Sequence, residues 1–145
     1  MTQRCDAIAW AARHGGCDGC GTPLVGRQQR WCANGCDQLY WQNHRWNQAR
    51  ACALSRARVY GWRRRWVGPL NSDGGVRLAW THLGHRCAHC GTTTTAPEVN
   101  HISPALGRHG QESCIHHQDN LEVLCHDCHL DVTRAQRAAR TALAS

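Results

Sequence analysis

The chain has 145 residues, a formal net charge of +7, eleven cysteines, eleven histidines and no phenylalanine. That length suits one ordinary domain or two small ones. Without Phe the chain cannot rest on a large aromatic core alone, so metal staples are the expected substitute; no apolar run approaches a bilayer span, so no transmembrane helix and no membrane partner is expected.

The cysteines admit two readings. Disulfides are usual in secreted proteins, whereas pairs two or three residues apart suit a tetrahedral thiolate site. Four pairs here have such spacers, the cysteine count is odd, and the opening MTQRCDAIAW has no apolar signal-peptide core. The expectation is zinc, in a reduced, cytoplasmic setting. Every basic residue is arginine, and the charge is uneven. Residues 1–66 hold eleven Arg against Asp6, Asp18 and Asp37, a net +8, and residues 67–145 hold six Arg against seven acids, a net −1. Arginine forks fit phosphate oxygens and stack on bases, which makes DNA the expected partner. A solvated basic face is the alternative.

In chain order, residues 1–16 are a short lead, with a helical turn over AIAWAAR. Cys17 and Cys20 then pair with Cys32 and Cys36 as a first zinc set, in which Gly19 and Gly21 let backbone N–H groups approach the thiolates. The alternative is that one cysteine is a buried free thiol and His44 takes its place. The run from Asp37 has no proline and no glycine before Gly61, which predicts one long helix. A knuckle followed by a helix bearing the second ligand pair is a treble-clef layout. The helix would carry Arg45, Arg50, Arg56 and Arg58 beside a stripe of Trp41, Trp46, Ala49 and Ala53. GWRRRW at 61–66 is dense in charge and indole. On a helix, Trp62 and Trp66 share a face while Arg63, Arg64 and Arg65 fan around it, either as a phosphate clamp with stacking indoles or as Trp packing with solvated arginines.

The turn-rich stretch 67–77 is the expected boundary. The organisation read from the sequence is therefore a four-cysteine zinc module over 1–66, a linker over 67–85 with a short helix at RLAWTHLGHR, and a second module over 86–145. In that module Cys87 and Cys90 form a knuckle, and Cys125 and Cys128 complete a second zinc set. PEVNHI (97–102) reads as a strand, PALGRHGQES as a loop, and CIHHQ as a returning strand. Asp119 and Asn120 suit a helix N-cap, and the chain from Leu121 reads as a strand end running into a helix. On that helix His129 and Thr133 are four apart on one face.

CAHCG (87–91), VNHISP (99–104), DNLEVLCHDCH (119–129) and Thr133 together resemble the HNH endonuclease family in its zinc-bearing ββα-metal form. The resemblance covers roughly residues 86–133. WNQARACALSR also resembles the segment that often precedes the first cysteines of such proteins, here separated from Cys87 by about thirty residues. The fold it implies is a small zinc-stapled α+β protein: a treble-clef-like N-terminal module with a long helix, then a ββα-metal module. The resemblance implies a phage or bacterial, metal-dependent DNA endonuclease. His101 would activate water, Asn120 would tie the arms of the site together, and His129 would bind a catalytic divalent ion, Mg2+ in the first instance. Both cysteine sets would hold structural zinc, since four thiolates leave no open position. DNA would be gripped by Arg45, Arg50, Arg63, Arg64 and Arg65. Two positions depart from the family: Asn100 stands where a ligating Asp is common, and Val132 where Lys is common. A neutral amide oxygen at Asn100 still ligates a hard cation, without formal charge, and Glu98, His116 or His117 could compensate. The alternative is a zinc-bearing DNA- or partner-binding module whose active site has lapsed.

Overall fold

The computed structural model describes residues 16–17, 20, 22–33, 35–67 and 75–144. The expected turn over AIAWAAR, the knuckle residues Gly19 and Gly21, most of the boundary at 67–77 and the Trp66 side chain lie outside the described residues. The architecture is small α+β. Two compact units are each built from two stretches of chain: Met1–Ser55 with Val99–Glu122, and Arg56–Glu98 with Val123–Ser145.

The first unit holds helices α1 (Cys36–His44) and α2 (Trp46–Arg56, to Ser55 in this unit). The sequence predicts one helix here; the chain makes two. Arg45 is extended (φ −109°, ψ 119°), and the cause is a competing hydrogen bond. In an unbroken helix the His44 carbonyl would accept from Gln48. Instead it accepts from the Ser113 N–H at 2.9 Å, while Gln48 and Ala49 donate to the Arg45 carbonyl and start α2 afresh. Among the described residues, Tyr40, Ala49, Ala53, Ala105 and Ile115 supply this unit's buried apolar side chains, and Cys17 and His44 are buried too. The predicted returning strand at CIHHQ is instead two 3-10 turns, Cys114–His116 and Gln118–Asn120. Ser113 opens the first, its hydroxyl accepting from the Ile115 N–H.

In the second unit, strands β1 (Arg58–Val67) and β2 (Gly75–Arg86) form a long antiparallel hairpin, and β3 (Thr93–Thr94) adds to β2. This replaces both the predicted helical setting of GWRRRW and the predicted short helix at RLAWTHLGHR. Each segment supplies the strand partner the other lacks. The pairing is Trp62 with Trp80, Arg63 with Ala79, Arg64 with Leu78 and Arg65 with Arg77. Directly opposed residues share a face and successive ones alternate. Trp62, Arg64, Leu78 and Trp80 therefore lie on one face, and Arg63, Arg65, Arg77 and Ala79 on the other. The register shifts between Val59 and Tyr60, whose partners are Gly84 and His82, so β2 bulges at Leu83 beside Gly84, whose φ of +143° excludes ordinary side chains.

Strands β4 (Glu98–His101) and β5 (Leu121–Leu124) form a two-stranded sheet, and β5 leads through Cys125 into α3 (His126–Ala142). The order strand, strand, helix follows the sequence pattern. Asn120 caps no helix, however: the residue before α3 is Cys125.

Candidate active site and metal centres

Each unit contains one four-cysteine set whose sulfur atoms all lie within 4.8 Å of one another: Cys17, Cys20, Cys32 and Cys36 in the first, and Cys87, Cys90, Cys125 and Cys128 in the second. Sγ separations are 3.4 Å for Cys20–Cys32, 3.7 Å for Cys32–Cys36, 3.9 Å for Cys20–Cys36 and 3.7 Å for Cys90–Cys125. A disulfide needs about 2.05 Å, whereas four thiolates at about 2.3 Å from a tetrahedral zinc sit about 3.8 Å apart. The geometry is therefore that of metal ligands, and each set can hold a zinc ion.

The two knuckles are built alike. In CDGCGT and CAHCGT the first cysteine N–H donates to the threonine carbonyl, at 2.8 Å from Cys17 to Thr22 and 2.8 Å from Cys87 to Thr92. The threonine hydroxyl lies 3.1 Å from Cys20 Sγ and 3.0 Å from Cys90 Sγ. That hydroxyl leads in holding Cys20 down to about 6 and in lowering Cys90. Neighbouring thiols, Cys20 foremost, push Cys32 up to about 12, and Cys125 foremost does the same to Cys128. Four thiolates gathered this closely would repel one another, and a bound cation would offset that repulsion.

His101, at the end of β4, is 5% exposed and stacks on the Trp46 indole (centroids 4.7 Å apart, planes 28° apart). Its tautomer follows from a hydrogen-bond chain. His116 Nε2 lies 3.2 Å from the Gln111 carbonyl and 3.3 Å from that of Arg108, so it carries a proton and donates. His116 Nδ1 must then accept, and it lies 2.9 Å from His101 Nε2. The lone pair of neutral His101 is thereby assigned to Nδ1. Burial first, then the nearby His116 and His109, push the His101 imidazole down to about 4, so it is neutral at physiological pH. Asn120 fixes the frame: its Oδ1 accepts from Ser103 N–H at 2.8 Å, and its Nδ2 donates to Ser103 O at 3.2 Å and to Ile115 O at 2.7 Å. One side chain thus ties the backbone two residues after His101 to the residue before His116. The sequence marks His116 only as a possible ligand and gives His109 no role; no local pattern marks either as a neighbour of His101.

In the second unit, His129 Nδ1 is 2.8 Å from one oxygen of Glu98, and His126 Nδ1 is 2.8 Å from the other. Donation of Nδ1–H to a carboxylate leaves the lone pair on Nε2, the arrangement that orients imidazoles toward cations. Thr133 lies one turn further along α3. Asn100 belongs to the first unit, where its Nδ2 donates to Glu122 Oε1 at 2.9 Å. His117 lies against His44, their Nε2 atoms 2.9 Å apart.

The expected DNA-binding arginines are exposed. Arg45 sits over the Trp41 ring (4.9 Å) and Arg50 lies on α2 in the first unit, and Arg63, Arg64 and Arg65 follow one another along β1 in the second. No protein-family model, curated protein or solved structure matches the chain. Among the described residues, no helix is long and apolar enough to cross a membrane.

Proposed function

We propose that the chain is a metal-dependent DNA endonuclease of the HNH type. In this reading β4, β5 and α3, stapled by zinc at Cys87, Cys90, Cys125 and Cys128, form a ββα-metal module, and the Cys17–Cys36 set belongs to a treble-clef-like module. The observation that best supports it is the Asn120 tie, which joins the backbone after His101 to that before His116, its ring partner, at a strand end. His101 Nδ1 takes a proton from water as that water attacks phosphorus. His129 Nε2, oriented by Glu98, would be offered to a divalent cation, and the Asn100 amide oxygen is the second ligand that the resemblance implies. Such an ion, Mg2+ in the first instance, would supply positive charge to offset that building on the phosphate and the leaving oxygen. By the family resemblance, the products carry 5′-phosphate and 3′-hydroxyl ends. Trp62 and Trp80 expose 64% and 58% of their surfaces, their ring centroids 5.4 Å apart. With three arginines on the opposite face of the hairpin, they suit stacking and phosphate contact.

Incubation with supercoiled plasmid and a panel of divalent ions tests the reading. Nicked or linear product should require the ion, and His101→Ala should cut at least about 10²-fold more slowly with DNA affinity nearly unchanged. A second reading is a lapsed, DNA-binding module. It is favoured by the Asn100 amide, which is neutral and hydrogen-bonded to Glu122. Salt-sensitive DNA binding with no cleavage under any ion would establish it instead.

A further inference from the structure

The first unit holds a second cluster of soft ligands that neither cysteine set uses. His44 lies at the end of α1, and Cys114 and His117 at the start and the flank of the 3-10 turn Cys114–His116; one ligand atom from each lies within 4.8 Å of the other two. We propose that His44, Cys114 and His117 form a third metal site, selective for zinc-like transition metals, with a fourth position open to water or another small ligand.

The ring geometry carries the argument. His44 Nδ1 lies 2.7 Å from the Tyr40 carbonyl, to which it donates its proton, so the His44 lone pair is on Nε2. His117 Nε2 faces that lone pair at 2.9 Å, with the two rings 84° apart. Two nitrogens bound about 2.0–2.1 Å from one tetrahedral ion would stand about 3.3–3.4 Å apart, a few tenths of an ångström more than is seen. A hydrogen bond between the rings would satisfy the pair alone, but it would not call for a thiol at the third corner. Burial holds His44 and His117 toward the neutral form that ligates metals. The Tyr40 ring stacks on His44 at 4.2 Å, restricting its rotation.

The surrounding backbone is built to keep the ligands together. Ser113 N–H donates to the His44 carbonyl at 2.9 Å, placing Cys114 beside the end of α1. Gln118 N–H donates to Asn43 Oδ1 at 3.2 Å, and its side-chain amide donates to the carbonyls of Gln42 (2.7 Å) and Ala49 (3.0 Å), placing His117 there too. Two imidazoles and a thiolate select zinc, cobalt or copper over Mg2+ or Ca2+, which prefer oxygen. Three protein ligands leave tetrahedral zinc one open position, unlike the closed four-cysteine sets. The ion would also clamp the turn that carries His116, the hydrogen-bond partner of His101. The site stands whether or not the chain cuts DNA.

Metal content of the folded protein, reconstituted with Zn2+ and freed of loosely held ions, tests it. Wild type should carry three zinc ions, and Cys114→Ser and His117→Asn two each, because the four-cysteine sets remain intact. X-ray absorption of the zinc-loaded wild type should show imidazole nitrogen at about 2.0 Å beside sulfur at about 2.3 Å. This measurement decides the matter should a variant fail to fold. Wild type holding only two zinc ions in an all-sulfur shell, or variants retaining the third ion, would overturn the proposal.

Discussion

At the scale of single residues, His101 shows how burial sets chemistry. Its folded value of about 4 lies below the ordinary ~6.5 of an unfolded histidine. Between those values the unfolded chain takes up a proton that the folded chain refuses. Stability should therefore fall as pH drops from about 6.5 toward 4 and level off below, so the unfolding midpoint should follow that curve. His101→Gln should make it shallower without abolishing it, because burial also lowers His44, His116 and His117. Cleavage, if His101 is the base, should hold level through the usual histidine range and decline only as pH nears about 4. An acid limb near 6.5 would place the base elsewhere. Asn100 is the second informative position. Asn100→Asp would set a carboxylate against Glu122, where a 2.9 Å hydrogen bond now stands. Like charges at that range repel, so the variant should be destabilised by about 1–3 kcal/mol. A catalytic cation held at residue 100 should restore the loss in a thermal melt. If divalent ions do not raise the melting temperature more than in wild type, Asn100 is no ligand.

At the scale of elements, the β1–β2 hairpin is the feature least suggested by the sequence. Gly84 makes its bulge possible. A Cβ there would meet the Thr94 carbonyl oxygen at 2.5 Å, and its φ of +143° is strained for any L side chain. Gly84→Ala should cost about 1–3 kcal/mol, read as a lower denaturation midpoint. A neutral effect would mean the bulge relaxes freely. The hairpin also bears Arg63, Arg64 and Arg65, three consecutive exposed arginines. Replacing all three with Ser should weaken DNA binding and reduce the slope of log K against log salt by up to about 3, at ~0.9 for each phosphate no longer neutralised. An unchanged slope would move the DNA-binding face elsewhere. The break between α1 and α2 has a different origin. The Ser113 N–H draws the His44 carbonyl out of the helix, and that break lets His44 end α1 within reach of Cys114 and His117.

At the scale of the whole molecule, the buried apolar side chains among the described residues are few and mostly small, with Leu124, Val123, Ile115 and Tyr40 the largest. So small a core leaves much of the folding free energy to metal binding. A strong chelator should therefore unfold the chain, with loss of its circular-dichroism signal, and added zinc should restore it. A chain that keeps its fold at full metal loss would show that packing alone suffices. The compact units also redistribute the charge. By sequence halves, residues 1–66 carry +8; by structural unit, Arg56–Glu98 with Val123–Ser145 carries ten arginines against four acids, a net +6. Arg56, Arg58 and the 63–65 run belong with the second zinc set and His129 in that unit, not with Arg45 and Arg50.

The sequence by itself determined the two four-cysteine sets, because a thiolate knuckle is written in spacings of two or three residues. It also determined the strand at 98–101 and the passage from the strand at 121–124 into α3, where local propensity and the fold agree. Only the tertiary structure decided the rest. A helix with no internal breaker was split by a hydrogen bond from residue 113, and an arginine-rich run became a strand because a partner strand lay beyond the boundary. Asn120, marked by the sequence as a cap, was drawn instead to the backbone of residues 103 and 115. His44 met Cys114 and His117 across about seventy residues of chain. These outcomes depend on hydrogen bonds and burial between segments far apart in sequence, and no local pattern encodes which distant group will compete for a given carbonyl, lone pair or strand edge.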